Sequence, residues 1–298
     1  MGLKHVVVCP GGAVTGGPEA LHQLVYMANQ IEAGSAAIMY VPNVPTPSAY
    51  LKYGCPTVTS VSADQLVVLP EIWPEMARQF PDSRCALWWL SVDNFGSHGQ
   101  VDLSGISLHL CQSVYAMRHV TWKISGPKMM LTDWVDLRWL DVPRYARVVV
   151  NPAKDAGLMR PFMARHSEVE FVGLAGLDRV GVARLLWGSQ VYIDFGRHPG
   201  RDRPPREAAL AGCVVLSVEL GSARLSDDMP LDDCYKFSSL DECSAALEMV
   251  MSDWRMHHEA QAGYRSVVAN QRDVFRREVG LLLDFCLGDW CCPSLELY

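Results

Sequence analysis

Short runs of apolar residues alternate along this chain with longer segments whose apolar positions recur every three or four residues. Residues 6–9, 36–41, 66–69, 85–90, 108–111 and 128–131 form a first series of runs, and 147–150, 169–172, 191–195 and 213–218 a second. Runs this short, rich in Val, Ile, Leu and Cys, suit strands buried on both faces. The segments between them predict helices. In 19–28, Leu21, Leu24, Val25 and Ala28 share one face, and Pro18 suits the first turn. Further helices are expected at 71–79, from 113, up to Arg165 and over 179–187. Strand alternating with helix predicts parallel sheets. The rhythm breaks at Leu140-Asp141-Val142-Pro143-Arg144-Tyr145, so we place a boundary there, with one α/β domain at 1–145 and another at 146–298. The second is expected to end in helices over 241–251 and 259–286.

In open α/β sheets ligands bind beyond the carboxyl ends of the strands. The first such loop is Pro10-Gly11-Gly12-Ala13-Val14-Thr15-Gly16-Gly17-Pro18, and strand, glycine loop and helix open a mononucleotide-binding fold. It is not a P-loop, because Gly17 and Pro18 stand where Lys and a hydroxyl residue are required. Nor is it a dinucleotide fingerprint: the glycines fall at 11, 12, 16 and 17, and the strand at 36–41 ends without an acid.

The loop at 196–205 carries Arg197, Arg201 and Arg203 with His198, against the single acid Asp202. Pro205 opens a helix through Ala211, and Gly212 stops it. Arginines beside a helix N-terminus favour phosphate oxygens. Glu207 in the first turn suits a ribose diol, since a carboxylate accepts two hydroxyl hydrogen bonds side by side. Phosphate and ribose together mean a nucleotide.

Glu207-Ala208-Ala209-Leu210-Ala211-Gly212-Cys213-Val214-Val215 resembles the Glu-Ala-x-x-x-Gly-x-Pro-Val segment of GT-B glycosyltransferases, as in bacterial and viral polysaccharide-type enzymes. The resemblance implies two Rossmann-like domains with a cleft between them and a C-terminal helical segment, 274–286, crossing back to the first domain. It implies a nucleotide-sugar donor, with Glu207 on the ribose and Arg203, Arg206 and Lys154 on the phosphates. Gly16, Gly17, Asn151, Asp194 and His198 complete the expected donor site. Asp194 lies thirteen positions before Glu207, further than in the family pattern, so the longer Arg-rich loop is expected to take over sugar or phosphate contacts. On the acceptor side Asp93, His98 and Glu19 are candidates for the general base, a job that needs a side chain within reach of the attacking hydroxyl.

The implied activity is metal-independent transfer of a sugar to a hydroxyl acceptor, a glycan or other, with no cofactor besides the donor. Alternatives on the same fold are a nucleotide-sugar epimerase, a non-catalytic nucleotide- or sugar-binding protein, and a glycosyltransferase acting on modified DNA bases. Net charge is −7 and both halves are acidic, which argues against general nucleic-acid binding. The 10 scattered cysteines include no Cys-x2-Cys pair, so free thiols and no zinc are expected. Asp227, Asp228, Asp232 and Asp233 are expected to form a solvated loop. Asp133 reads as a helix N-cap. With no apolar stretch of membrane-spanning length and no signal peptide, the protein is expected in the cytoplasm.

Overall fold

The computed structural model describes residues 2–95, 102–155 and 157–285. The first series of apolar runs forms β1 (His5–Pro10), β2 (Ala36–Val41), β3 (Leu66–Pro70), β4 (Arg84–Trp89), β5 (Ile106–Cys111) and β6 (Lys128–Met130). These pair in parallel as one sheet in the order β2-β1-β3-β4-β5-β6. Helices α1 (Gly16–Ile31), α2 (Val92–Phe95) and α3 (Val114–Lys123) lie between the strands. The second series forms β7 (Tyr145–Val150), β8 (Phe171–Gly173), β9 (Ser189–Asp194), β10 (Val214–Val218) and β11 (Lys236–Phe237). Its sheet runs β11-β10-β9-β7-β8 and is parallel too. With it go α4 (Met159–Arg165), α5 (Arg179–Trp187), α6 (Arg203–Leu210) and α7 (Leu240–Ser252), followed by α8 (Trp254–Ala260), α9 (Ala262–Ala269) and α10 (Gln271–Phe285).

Both faces of the first sheet are covered, which is why its strands read as unbroken apolar runs. Val7 and Cys9 belong to one core cluster and Val6 and Val8 to another, all fully buried. At about 1.5–3 kcal/mol per buried Val or Leu side chain, these two clusters supply most of what holds the sheet. Phe275, Val279, Leu282 and Leu283 of α10 pack in the same cluster as Leu21, Leu24 and Val25 of α1. Glu278 of α10 also accepts hydrogen bonds from the Thr132 N–H and Oγ1, both at 2.7 Å.

Four local expectations are corrected. The helix expected at 71–79 is a 3-10 turn, Pro74–Gln79, and Glu71 directly follows β3. Pro74 lacks the N–H that a helix begun at Glu71 needs in its first turn. The long helix expected from 259 breaks near Gln261, whose side chain turns away to bond the Val215 N–H and C=O, both at 2.9 Å. Asp133 caps no helix. It lies buried against Arg206, whose Nη2 is 2.9 Å from Oδ2. Asp228 is not a freely solvated loop residue, since its carboxylate caps α3 by accepting the Val114 and Tyr115 N–H groups at 2.8 Å each. The seven described cysteines are free thiols. Among the described residues no helix is long and apolar enough to cross a membrane.

Candidate functional site

The glycine loop after β1 is clamped from one side. The Tyr50 hydroxyl accepts the Thr15 N–H and donates to the Thr15 carbonyl, both at 3.0 Å. Gly16 then opens α1 directly under the second half of the chain: a Cβ built there would sit 3.4 Å from Arg203 Cδ. A Cβ on Gly17 would meet Leu90 at 3.7 Å. Of the two glycines expected to admit a ligand, Gly16 therefore lies where the halves of the chain meet.

One turn into α1, the Glu19 carboxylate gathers three cations. Arg179 of α5 approaches to 3.0 Å, Lys52 to 3.1 Å and Arg203 of α6 to 3.5 Å, and the Tyr53 hydroxyl donates at 2.9 Å. Burial by itself would raise the Glu19 pKa, but Arg203, Arg179 and Lys52 outweigh it and bring it down to about 2. A carboxylate this acidic takes a proton poorly at neutral pH. Glu19, expected as a general base, sits ionised among three cations.

Arg203 is shared. Its Nη2 lies 3.3 Å from the Glu207 carboxylate one turn along α6, and the Glu207 side chain retains 13% of its surface exposed. Lys154 keeps 41% exposed and pairs with Asp202 at 2.6 Å. Asn151 shapes the turn that presents Lys154, accepting the Ala153 N–H on its side chain at 3.2 Å and the Lys154 N–H on its carbonyl at 3.1 Å.

Asp194, His198 and Arg206 were expected to touch the donor, and the structure gives each another task. Asp194 is fully buried and accepts the Gly196 N–H at 2.7 Å and the Tyr192 hydroxyl at 2.9 Å. His198 is buried as well, with Nε2 3.4 Å from Asp194 and Nδ1 3.5 Å from Asp202. Its φ of 47° is left-handed, which costs a non-glycine residue energy and is held here by its surroundings. Gly221 has no room for a side chain against the His198 carbonyl, and Gly200 has none against the Leu90 carbonyl. Arg206 donates to Asp133, to the Gln271 side chain at 3.0 Å and to the Arg201 carbonyl at 2.6 Å. These residues brace the Arg-rich loop from within, and Arg206 has no free donor face to offer a phosphate.

The braced loop also reaches the first sheet. The Val92 N–H donates to the Pro199 carbonyl at 3.1 Å, and the Arg201 N–H to Gln112 Oε1 at 3.2 Å. Asp93 follows Val92 on α2, exposed, with a hydrogen bond to Tyr115. His98 lies outside the described residues.

Sequence reasoning missed Lys52, Arg179 and Glu71. Arg179 had a signal, since it follows Asp178, the N-cap of α5, whose side chain accepts the Gly181 N–H. Glu71, at the end of β3, is buried, and burial pushes its pKa up to about 7, against hydrogen bonds from the Leu90 and Ser91 backbone and the Asn94 side chain.

No protein-family model matches the sequence, and comparison with curated proteins finds no match. Solved structures do match in fold. A glycosyltransferase from Rickettsia africae superposes with a TM-score of 0.68 at 12% identity, covering 96% of this chain and 99% of that one. HepE from Anabaena, solved with UDP and glucose, gives 0.70 at 11% identity, covering 95% and 99%. The lipopolysaccharide outer core galactosyltransferase WaaB, in its apo form, gives 0.63 at 11% identity, covering 93% and 99%. The two parallel α/β sheets of this chain are those of the GT-B fold.

Proposed function

We propose that the protein is a glycosyltransferase that moves a sugar from a nucleotide-sugar to a hydroxyl acceptor without a metal ion. The observation that carries this reading is the meeting of Arg203 and Glu207 with the N-terminus of α1 at Gly16, which brings a cation, a carboxylate and the positive end of a helix to one place. A nucleoside diphosphate needs that combination: the Glu207 carboxylate accepts the two ribose hydroxyls, and Arg203, Lys154 and Arg179 face the phosphates. Uridine nucleotides are the first donors to test, given the UDP bound to HepE.

In the reaction the acceptor oxygen forms a bond to the anomeric carbon, the bond from that carbon to the phosphate oxygen breaks, and the hydroxyl proton passes to Asp93. The departing diphosphate gains negative charge, which the fixed guanidinium and ammonium groups stabilise in place of a metal. For this Arg203 exchanges its two carboxylate partners for phosphate oxygens.

The test is a thermal-shift screen with UDP, GDP, CDP, ADP and dTDP, with and without magnesium, on the wild type and Glu207→Ala. One nucleotide should raise the melting temperature of the wild type, and its affinity should fall roughly tenfold or more in the variant. A nucleotide bound equally by both proteins rejects the ribose assignment, and stabilisation by none of them rejects the donor class.

A further inference from the structure

The transfer chemistry leaves one buried carboxylate of this sheet edge unused. Glu71 stands one residue past β3, the strand between β1 and β4, and is 3% exposed. Its N–H donates to the Trp88 carbonyl at 3.1 Å. Its carboxylate accepts the Leu90 N–H at 3.4 Å, an N–H shared with the Trp88 carbonyl at 3.2 Å, and further hydrogen bonds from the Ser91 backbone and the Asn94 side chain. Leu90 and Ser91 form the turn that joins β4 to α2, and Asn94 lies in α2 itself; the backbone N–H of Glu71 also faces the carboxylate.

The far side of that turn holds the other half of the chain, through the Val92 N–H on Pro199 and the close seat of Gly200 on the Leu90 carbonyl. Asp93 projects from the same turn. We propose that Glu71 is a positioning residue that fastens this turn, and with it both Asp93 and the Arg-rich loop, in a manner set by whether its carboxyl carries a proton.

Ionised, the carboxylate accepts from these donors. Protonated, it gives up acceptor capacity and turns one oxygen into a donor, which the cluster of N–H groups does not match. Burial places this exchange at about pH 7, inside the working range of most proteins. The titratable neighbours lie further round the turn. Asp93 is hydrogen-bonded to Tyr115 and lies near His119, both on α3. Glu75 and Arg78, on the 3-10 turn that follows Glu71, are exposed. The consequence for catalysis rests on the transferase reading. The fastening itself does not.

The experiment follows the Leu90 and Ser91 backbone amides and the Asn94 side-chain amide of the full-length protein by NMR, from about pH 5.5 to about pH 8.5. The wild type should show one shared midpoint near pH 7, echoed more weakly by the Gly200 and Arg201 amides. Glu71→Gln should abolish it, and Asn94→Ala, which removes a hydrogen bond to the charged form, should move it to higher pH. Absence of a shared midpoint in the wild type, or its persistence in Glu71→Gln, overturns the proposal. In transfer assays the limb of the pH profile near 7 should vanish in Glu71→Gln, and a profile identical to that of the wild type counts against coupling to the site. Amides that titrate as expected in a protein that binds no nucleotide leave the fastening in place and remove the transferase reading instead.

Discussion

Glu19 and Glu71 are carboxylates of the same sheet edge, at 5% and 3% exposure, yet their surroundings tune them in opposite directions. Around Glu19 the buried charge is met by Arg203, Arg179 and Lys52, and its pKa falls to about 2. Around Glu71 the answering groups are neutral N–H donors, and its pKa rises to about 7. Burial acts on both alike, so the sign is decided by whether a counter-charge is present. One corner is consequently a permanent anion that ties α1 to α5 and α6, and the other is a group poised to change.

The largest expected effect comes from removing the anion. Glu19→Gln leaves Arg203, Arg179 and Lys52 facing one another, and stability at pH 7 should drop by about 2–3 kcal/mol, below the loss for a fully buried pair because Arg179 and Lys52 are partly exposed. The contribution is present above the ordinary carboxylate pKa of 4.5 and disappears as pH falls towards about 2, so urea denaturation curves of variant and wild type should converge in acid. A constant gap across that range breaks the comparison at Glu19.

Next in size, and opposite in sign, is Glu71→Gln. A folded-state pKa raised from 4.5 to about 7 costs the wild type stability as pH rises through that window. The variant should therefore be the more stable protein at pH 8, by roughly 1–3 kcal/mol, with little difference near pH 4.5. Equal stability at pH 8 means that the turn already supplies the missing counter-charge.

Smallest is Lys52→Ala. The Lys52 side chain is 37% exposed, and an ion pair of that kind contributes about 0–1 kcal/mol. A loss well above this assigns to Lys52 the work attributed here to the two arginines.

The layout of the chain could be read from its residues, because strands buried on both faces leave unbroken apolar runs and α/β loops leave glycine and proline. The composition of the Arg-rich loop likewise pointed to the region of interest. What could not be read was which way each side chain turns. Arg203 and Arg206 are three residues apart on one short helix, yet the first faces Glu19 and the second is taken up by Asp133, a residue far back in the chain. Asp194 and His198 have the chemistry of ligands, but both are fully buried and pair with each other beneath the loop. Glu71 was hidden for a related reason: its state depends on N–H groups gathered by a turn some twenty residues later.

The return of α10 to the first sheet sets an order of events during synthesis. Leu131 and Trp134 share a core with Phe275, Val279 and Leu282, which are translated about 140 residues later. At roughly 5–20 residues per second, the nascent first half waits on the order of ten seconds or more for these side chains. Through that interval the surface of α1 that α10 will cover stays open on the ribosome, a site for a chaperone to shield and the place where a prematurely ended chain would begin to aggregate.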